Sequence, residues 1–203
     1  GTRLKVDEHI VQHEREYKTK SISVLDGFKI SSNYVFATLA IRHYGKDTQK
    51  YMDNIHSYHL DGTFDFDIDG MARATIPSVE SAHRSMTTLG SMGFGYATEL
   101  TPLHVVTFYN AIAGKGNMMK PYLIEGNGPS VLNSSICSAA AADTVTRALK
   151  AVTEEGTARR LKDAKCSVAG KTGTSFGTFE GGGYVDSQGR RKYQGTFVGF
   201  FPA

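Results

Sequence analysis

Apolar positions recur at intervals of three and four through much of the chain, and the period shortens to two near its end. Val35, Phe36, Leu39, Ala40 and His43 fall at helical spacing and Gly45 closes the run, so the pattern predicts a helix from Ser31. Asp47 is placed to cap a second helix with Tyr51, Met52, Ile55 and His59 on one face, followed by Gly62. Thr101 caps a third, Pro102 suits its first position, Val105, Phe108, Tyr109 and Ile112 form its apolar face, and Gly114 and Gly116 end it. Ser138 caps a fourth, with Ala142, Val145, Leu149 and Val152 turned inward and Gly156 closing it. The first residues, "TRLKV", alternate like a strand, residues 117–123 read as extended, and residues 125–130 read as a turn-rich link. Residues 166–175 and 194–201 are strand-like and flank Gly181-Gly182-Gly183, which predicts an antiparallel hairpin. Helices through most of the chain and a terminal hairpin give an α+β fold, an antiparallel sheet covered by helices.

Composition narrows the function. With 203 residues and 40% hydrophobic positions the chain can bury a core and is globular. The net charge of +3 is spread along the chain. Arg190-Arg191-Lys192 is the one tight basic run, without interleaved aromatic residues, and reads as a solvated turn, so no nucleic-acid partner is expected. No apolar run reaches the roughly 18 to 20 residues of a membrane span. Cys137 and Cys166 are too few for a disulfide framework and lack zinc spacing, and whether they pair stays open.

Three stretches imitate ligand sites. His9 and His13 would share a helix face, but no third ligand accompanies them. Asp65, Asp67, Asp69 and Gly70 match the start of a calcium loop whose closing Glu is replaced by Ile76. "GSMGFG" at residues 90–95 is glycine-rich without the order of a phosphate cradle. Neither a metal nor a cofactor is expected.

Two short motifs carry chemistry together. "SSN", Ser31-Ser32-Asn33, lies at the mouth of a helix, and "KTGT", residues 171–174, lies on a strand before a hairpin. A serine that attacks an amide or β-lactam carbonyl must lose a proton and return one to the leaving nitrogen. A Ser31 hydroxyl bonded to the Lys171 ammonium can relay it, and the ammonium favours an alkoxide and attracts a carboxylate. Thr172 and Thr174 can hydrogen-bond that carboxylate. Gly173 lets a substrate backbone lie along the strand edge, and the amide after it can face a developing oxyanion. Asn33 can donate to a substrate carbonyl and hold a neighbouring lysine.

In this order the motifs match two of the three elements of penicillin-recognising serine acyl-transfer sites. With "FKISSNYVFATLA", "GYATELTPLHVVTFYNAIAGKGNMMKP", "EEGTARR" and "VAGKTGTS...YQGTFVGFFPA", the chain resembles the transpeptidase domain of class B penicillin-binding proteins, closest to the division-type peptidoglycan D,D-transpeptidases. His104 stands where that family usually has Gln. The resemblance implies a penicillin-binding/β-lactamase-like transpeptidase fold and a partial transpeptidase domain over residues 1–203, truncated at both ends. It implies Ser31, Asn33 and Lys171 as catalytic residues and Thr172, Gly173 and Thr174 as substrate-binding residues. The substrates implied are stem peptides ending in D-Ala-D-Ala, with β-lactams as mimics. The implied location is the outer (periplasmic) face of the cytoplasmic membrane, where the parent is anchored, the fragment itself being soluble. Division-complex membrane proteins are the implied partners.

One element departs from the pattern. No lysine in the chain has a serine three residues before it, so the S-x-x-K nucleophile is not among these residues. The parent is expected to be a serine-type D,D-transpeptidase and this chain alone inactive, with exposed core faces that favour dimerisation. Two other readings stay open: a non-catalytic module that senses β-lactams or cell-wall peptides or serves as a scaffold, and a class D-like β-lactamase. The long stretch between Asn33 and Lys171 weighs against the second.

Overall fold

The structure, a computed structural model, describes residues 3–6, 9–12, 22–64, 70–125, 128–177 and 183–203. Strands β1 (Arg3–Val6) and β2 (His9–Gln12) pair antiparallel. His9 is therefore on a strand, where the four-residue spacing to His13 has no helical meaning; His13 lies outside the described residues, as do Asp65, Asp67 and Asp69.

A short helix, α1 (Val24–Lys29), leads into α2 (Asn33–Tyr44), and α3 (Thr48–Ser57) follows with Asp47 as its cap, accepting from the Lys50 amide at 3.2 Å. Burial pushes the Tyr51 hydroxyl on α3 up to about 12, so the ring packs as a neutral side chain. His59, predicted on this helix, falls just beyond its end at a φ of 52°, so the helical face stops at Ile55. Helices α4 (Val79–Arg84) and α5 (Met86–Gly93) come next, and α5 takes in the first part of the glycine-rich stretch at residues 90–95, for which the sequence pattern predicts no helix. The reason is tertiary. A Cβ at Gly93 would lie 2.6 Å from the Ala40 Cβ and 2.8 Å from the Phe36 carbonyl oxygen, so the glycines let α5 press onto α2.

Helix α6 (Pro102–Ala113) begins at Thr101, as its sequence predicts. Its buried residues are His104, Thr107, Ala111 and Ile112, while Val105, Phe108 and Tyr109 are only partly covered. His104 ties the loop after α3 to this helix: Nε2 lies 2.8 Å from the Gly62 carbonyl oxygen and Nδ1 2.7 Å from the Thr101 hydroxyl. Of residues 117–123 only Met118–Met119, strand β3, is regular, paired with β4 (Val131–Asn133).

Helix α7 (Ala139–Glu154) follows, capped by Ser138, with Ala142, Leu149, Val152 and Thr153 buried. Val145 is 38% exposed, contrary to its predicted inward position; α7 is covered along a narrower stripe than its apolar residues suggest. The chain ends in the predicted hairpin, β5 (Ala169–Gly177) against β6 (Lys192–Phe200), antiparallel from Ala169↔Phe200 to Gly177↔Lys192. Helix α7 packs on β5 and α6 on β6, which makes the fold α+β with helices over an antiparallel hairpin. Met118, Ala111, Ile112 and Ile136 form the core beneath α6, with Phe200 of β6 packed against it.

Candidate active site

The two motifs occupy unlike local structures. Ser23 caps α1, and the helix ends with the Ser31 amide donating to the Phe28 carbonyl at 3.1 Å and the Ser32 amide to that of Gly27 at 2.8 Å. Ser31 sits between α1 and α2 in the left-handed region, φ 57°, which a non-glycine residue adopts at a cost. The tight turn splits the two serines. Ser32 is buried and caps α2, its hydroxyl accepting from the Val35 amide at 3.2 Å, whereas Ser31 is exposed. The helix thus begins two residues later than the spacing predicts, and its first residue is the exposed Asn33.

Strand β5 is fixed from behind. The Thr153 hydroxyl on α7 donates to the Val168 carbonyl at 2.6 Å, and Ala169 is fully buried. From this anchor Lys171 reaches the turn: its Nζ donates to Ser31 Oγ at 2.8 Å and to the Thr172 carbonyl at 2.9 Å, and lies 6.0 Å from the centre of the Phe28 ring. The SSN turn and the KTGT strand therefore meet across 140 residues of sequence.

Along β5, Lys171 and Gly173 share one face and Thr172 and Thr174 the other. All four border the edge away from β6; among the described residues β5 pairs with β6 alone. The Phe176 amide donates outward to the Tyr96 hydroxyl at 3.4 Å. Antiparallel alternation then places the Thr172 and Thr174 amides on the same open edge. Thr174 is exposed, and Thr172 is half-buried with its hydroxyl 2.6 Å from that of Thr157. A Cβ at Gly173 would lie 2.5 Å from Thr196 Oγ1, so glycine here also makes room for the β6 neighbour, a reason the motif alone does not supply.

Beside the turn, Lys29 joins Asp26 at 2.9 Å and Glu155 at 3.0 Å. Its hydrogen bond to Asp26, then that to Glu155, raises the Lys29 ammonium above its ordinary range, and the Ser23 hydroxyl, then Lys29, lowers the Asp26 carboxyl. An ammonium bonded to an exposed hydroxyl, beside outward amides and threonine hydroxyls, can bind a carboxylate, stabilise a developing oxyanion and pass a proton.

Sequence reasoning missed Tyr96 and Thr157 at this edge. Thr157 lies in the quoted "EEGTARR", but nothing in its spacing tells which strand it touches. A separate open groove of about 670 Å³ between α3 and residues 74–79 contains none of the predicted site residues. Among the described residues no cluster of His, Cys, Asp or Glu could hold a metal, no helix is long and apolar enough to cross a membrane, and Cys137 and Cys166 are free thiols.

Solved structures share this architecture. The D,D-transpeptidase domain of a peptidoglycan glycosyltransferase from Eggerthella lenta is 22% identical, with 98% of this chain and 50% of that chain covered and a TM-score of 0.77. The transpeptidase domain of Burkholderia pseudomallei penicillin-binding protein 3 is 20% identical, with 98% and 57% covered and a TM-score of 0.81. Penicillin-binding protein 3 from Mycobacterium tuberculosis, solved with ampicillin, is 22% identical, with 97% and 45% covered and a TM-score of 0.77. The chain spans about half the length of the solved chains it matches. No curated protein matches it. The family model of the penicillin binding protein transpeptidase domain matches residues 3–203, the whole span that holds both motifs, and the chain belongs to that family.

Proposed function

We propose that residues 1–203 are part of the transpeptidase domain of a division-type, class B penicillin-binding protein. Its parent is a D,D-transpeptidase that cross-links peptidoglycan stem peptides by serine acyl transfer and is acylated by β-lactams. The observation that carries the reading is the 2.8 Å contact between Lys171 Nζ and Ser31 Oγ, which joins the two motifs at one strand edge. In this reading the nucleophilic serine belongs to a segment of the parent outside these residues, and the chain alone is inactive.

The chemistry follows from the groups at hand. The serine oxygen bonds to the penultimate D-Ala carbonyl carbon, the C–N bond to the terminal D-Ala breaks, and the serine proton passes through Ser31 and Lys171 to the departing nitrogen. An acceptor amine then attacks the acyl ester and restores the serine. The Thr174 amide faces the oxyanion, Thr172 and Thr174 hold the terminal carboxylate, Gly173 allows close strand approach, and Asn33 holds the substrate amide. The parent acts at the outer face of the cytoplasmic membrane among division-complex membrane proteins. Exposed apolar side chains such as Phe201 (70% exposed) and Tyr193 (61%) favour dimerisation of the isolated chain.

Covalent labelling of the full-length parent by a fluorescent penicillin tests the reading. Wild type is expected to label, and Lys171→Ala to label at least about 100-fold more slowly, the scale of losing a transition-state donor. A parent that takes no label would instead favour the non-catalytic module, and rapid hydrolytic turnover of the label the β-lactamase.

A further inference from the structure

The turn after α7 binds both halves of the site. Gly156 is buried, and a Cβ there would lie 2.5 Å from the Lys29 carbonyl oxygen, so glycine lets this turn approach the end of α1. The next residue, Thr157, donates its amide to that same carbonyl at 3.1 Å. Its side chain faces the other way, with Oγ1 2.6 Å from Thr172 Oγ1 on β5. A closed circuit results. It runs from Ser31 Oγ to Lys171 Nζ, along the chain to Thr172, across the hydroxyl pair to Thr157, through its amide to Lys29, and along the chain back to Ser31. Thr157 is the member of that circuit that contacts both the turn and the strand without belonging to either motif.

A pair of hydroxyls has two protons, and their mutual bond uses one. The other is free for an anion at the strand edge. When a carboxylate docks on Thr172, the stable order is Thr157 donating to Thr172 and Thr172 donating to the carboxylate, each bond polarising the next. We propose that Thr157 is a positioning residue of the site, whose hydroxyl holds that of Thr172 as a donor toward the substrate carboxylate. The inference rests on the transpeptidase reading, which supplies the carboxylate.

The test compares acylation of the full-length parent by a penicillin and by its methyl ester, which lacks the carboxylate charge. Wild type is expected to prefer the acid. Thr157→Val, which keeps the shape and loses the hydroxyl, should shrink that preference about threefold to tenfold, the worth of one hydrogen bond. Thr157→Ser should restore it. Thr157 is exposed, so a merely structural loss would slow both compounds alike and leave their ratio unchanged, and that result would overturn the proposal. Thr172→Val provides a second route: it should shrink the ratio by itself, and adding Thr157→Val should shrink it no further, whereas independent, additive losses would also overturn the coupling. A wild-type parent that takes no label overturns the transpeptidase reading and this inference with it; a labelled parent with an unchanged ratio overturns this inference alone.

Discussion

Along its body α2 lies on α5 with almost nothing between them: Ala37 and Ala40 are buried on one side and the bare backbone of Gly90 and Gly93 faces them from the other. At its mouth the same helix meets β5 through an exposed serine on a left-handed turn and a lysine that reaches across from the strand. The first contact is made by removing side chains, so that two backbones approach and dispersion is gained over a dry surface. The second is made of polar groups that water would serve nearly as well, and it adds little to stability. What it fixes is geometry. Backbone strain at Ser31, absent from the helix body, is stored where the chemistry is proposed.

The contrast can be broken by substitution. Gly93→Val has the largest expected effect. Its Cβ alone would crowd Ala40 and the Phe36 carbonyl, so destabilisation of about 1–3 kcal/mol is expected by urea denaturation. An unchanged midpoint would mean that α2 and α5 yield easily and that the body is no tighter than the mouth. Ser32→Ala ranks next, at about 1 kcal/mol, through loss of a buried helix cap. Ser31→Gly should change stability least, by less than about 0.5 kcal/mol, because relief of the left-handed strain offsets the greater freedom of an unfolded glycine. A loss at residue 31 as large as that at residue 32 would remove the distinction between the neighbouring serines.

Those serines also show where sequence reading stops. Caps at Asp47, Thr101 and Ser138 were legible because a side-chain oxygen meets an amide three residues on, a local interaction. At residues 31–33 two serines compete for that role, and only the turn out of α1 assigns the cap to Ser32. Helix α5 was hidden because Gly90 and Gly93 signal a break when read locally, while in the fold they are the packing surface. Val145 had the period of a buried residue and is partly exposed, since period reports which side of a helix is apolar and not how wide a neighbour covers it.

By itself, the sequence determined the starts of α3, α6 and α7, the terminal hairpin and the two motifs, because caps, turns and strand alternation act over a few residues. Tertiary structure alone brought Lys171 to Ser31 and Thr157 to Thr172. The first pair is 140 residues apart. Its distance is set by how α7 seats β5 and how the turn after α7 grips the end of α1, and a motif contains no term for the packing of elements that lie between its parts.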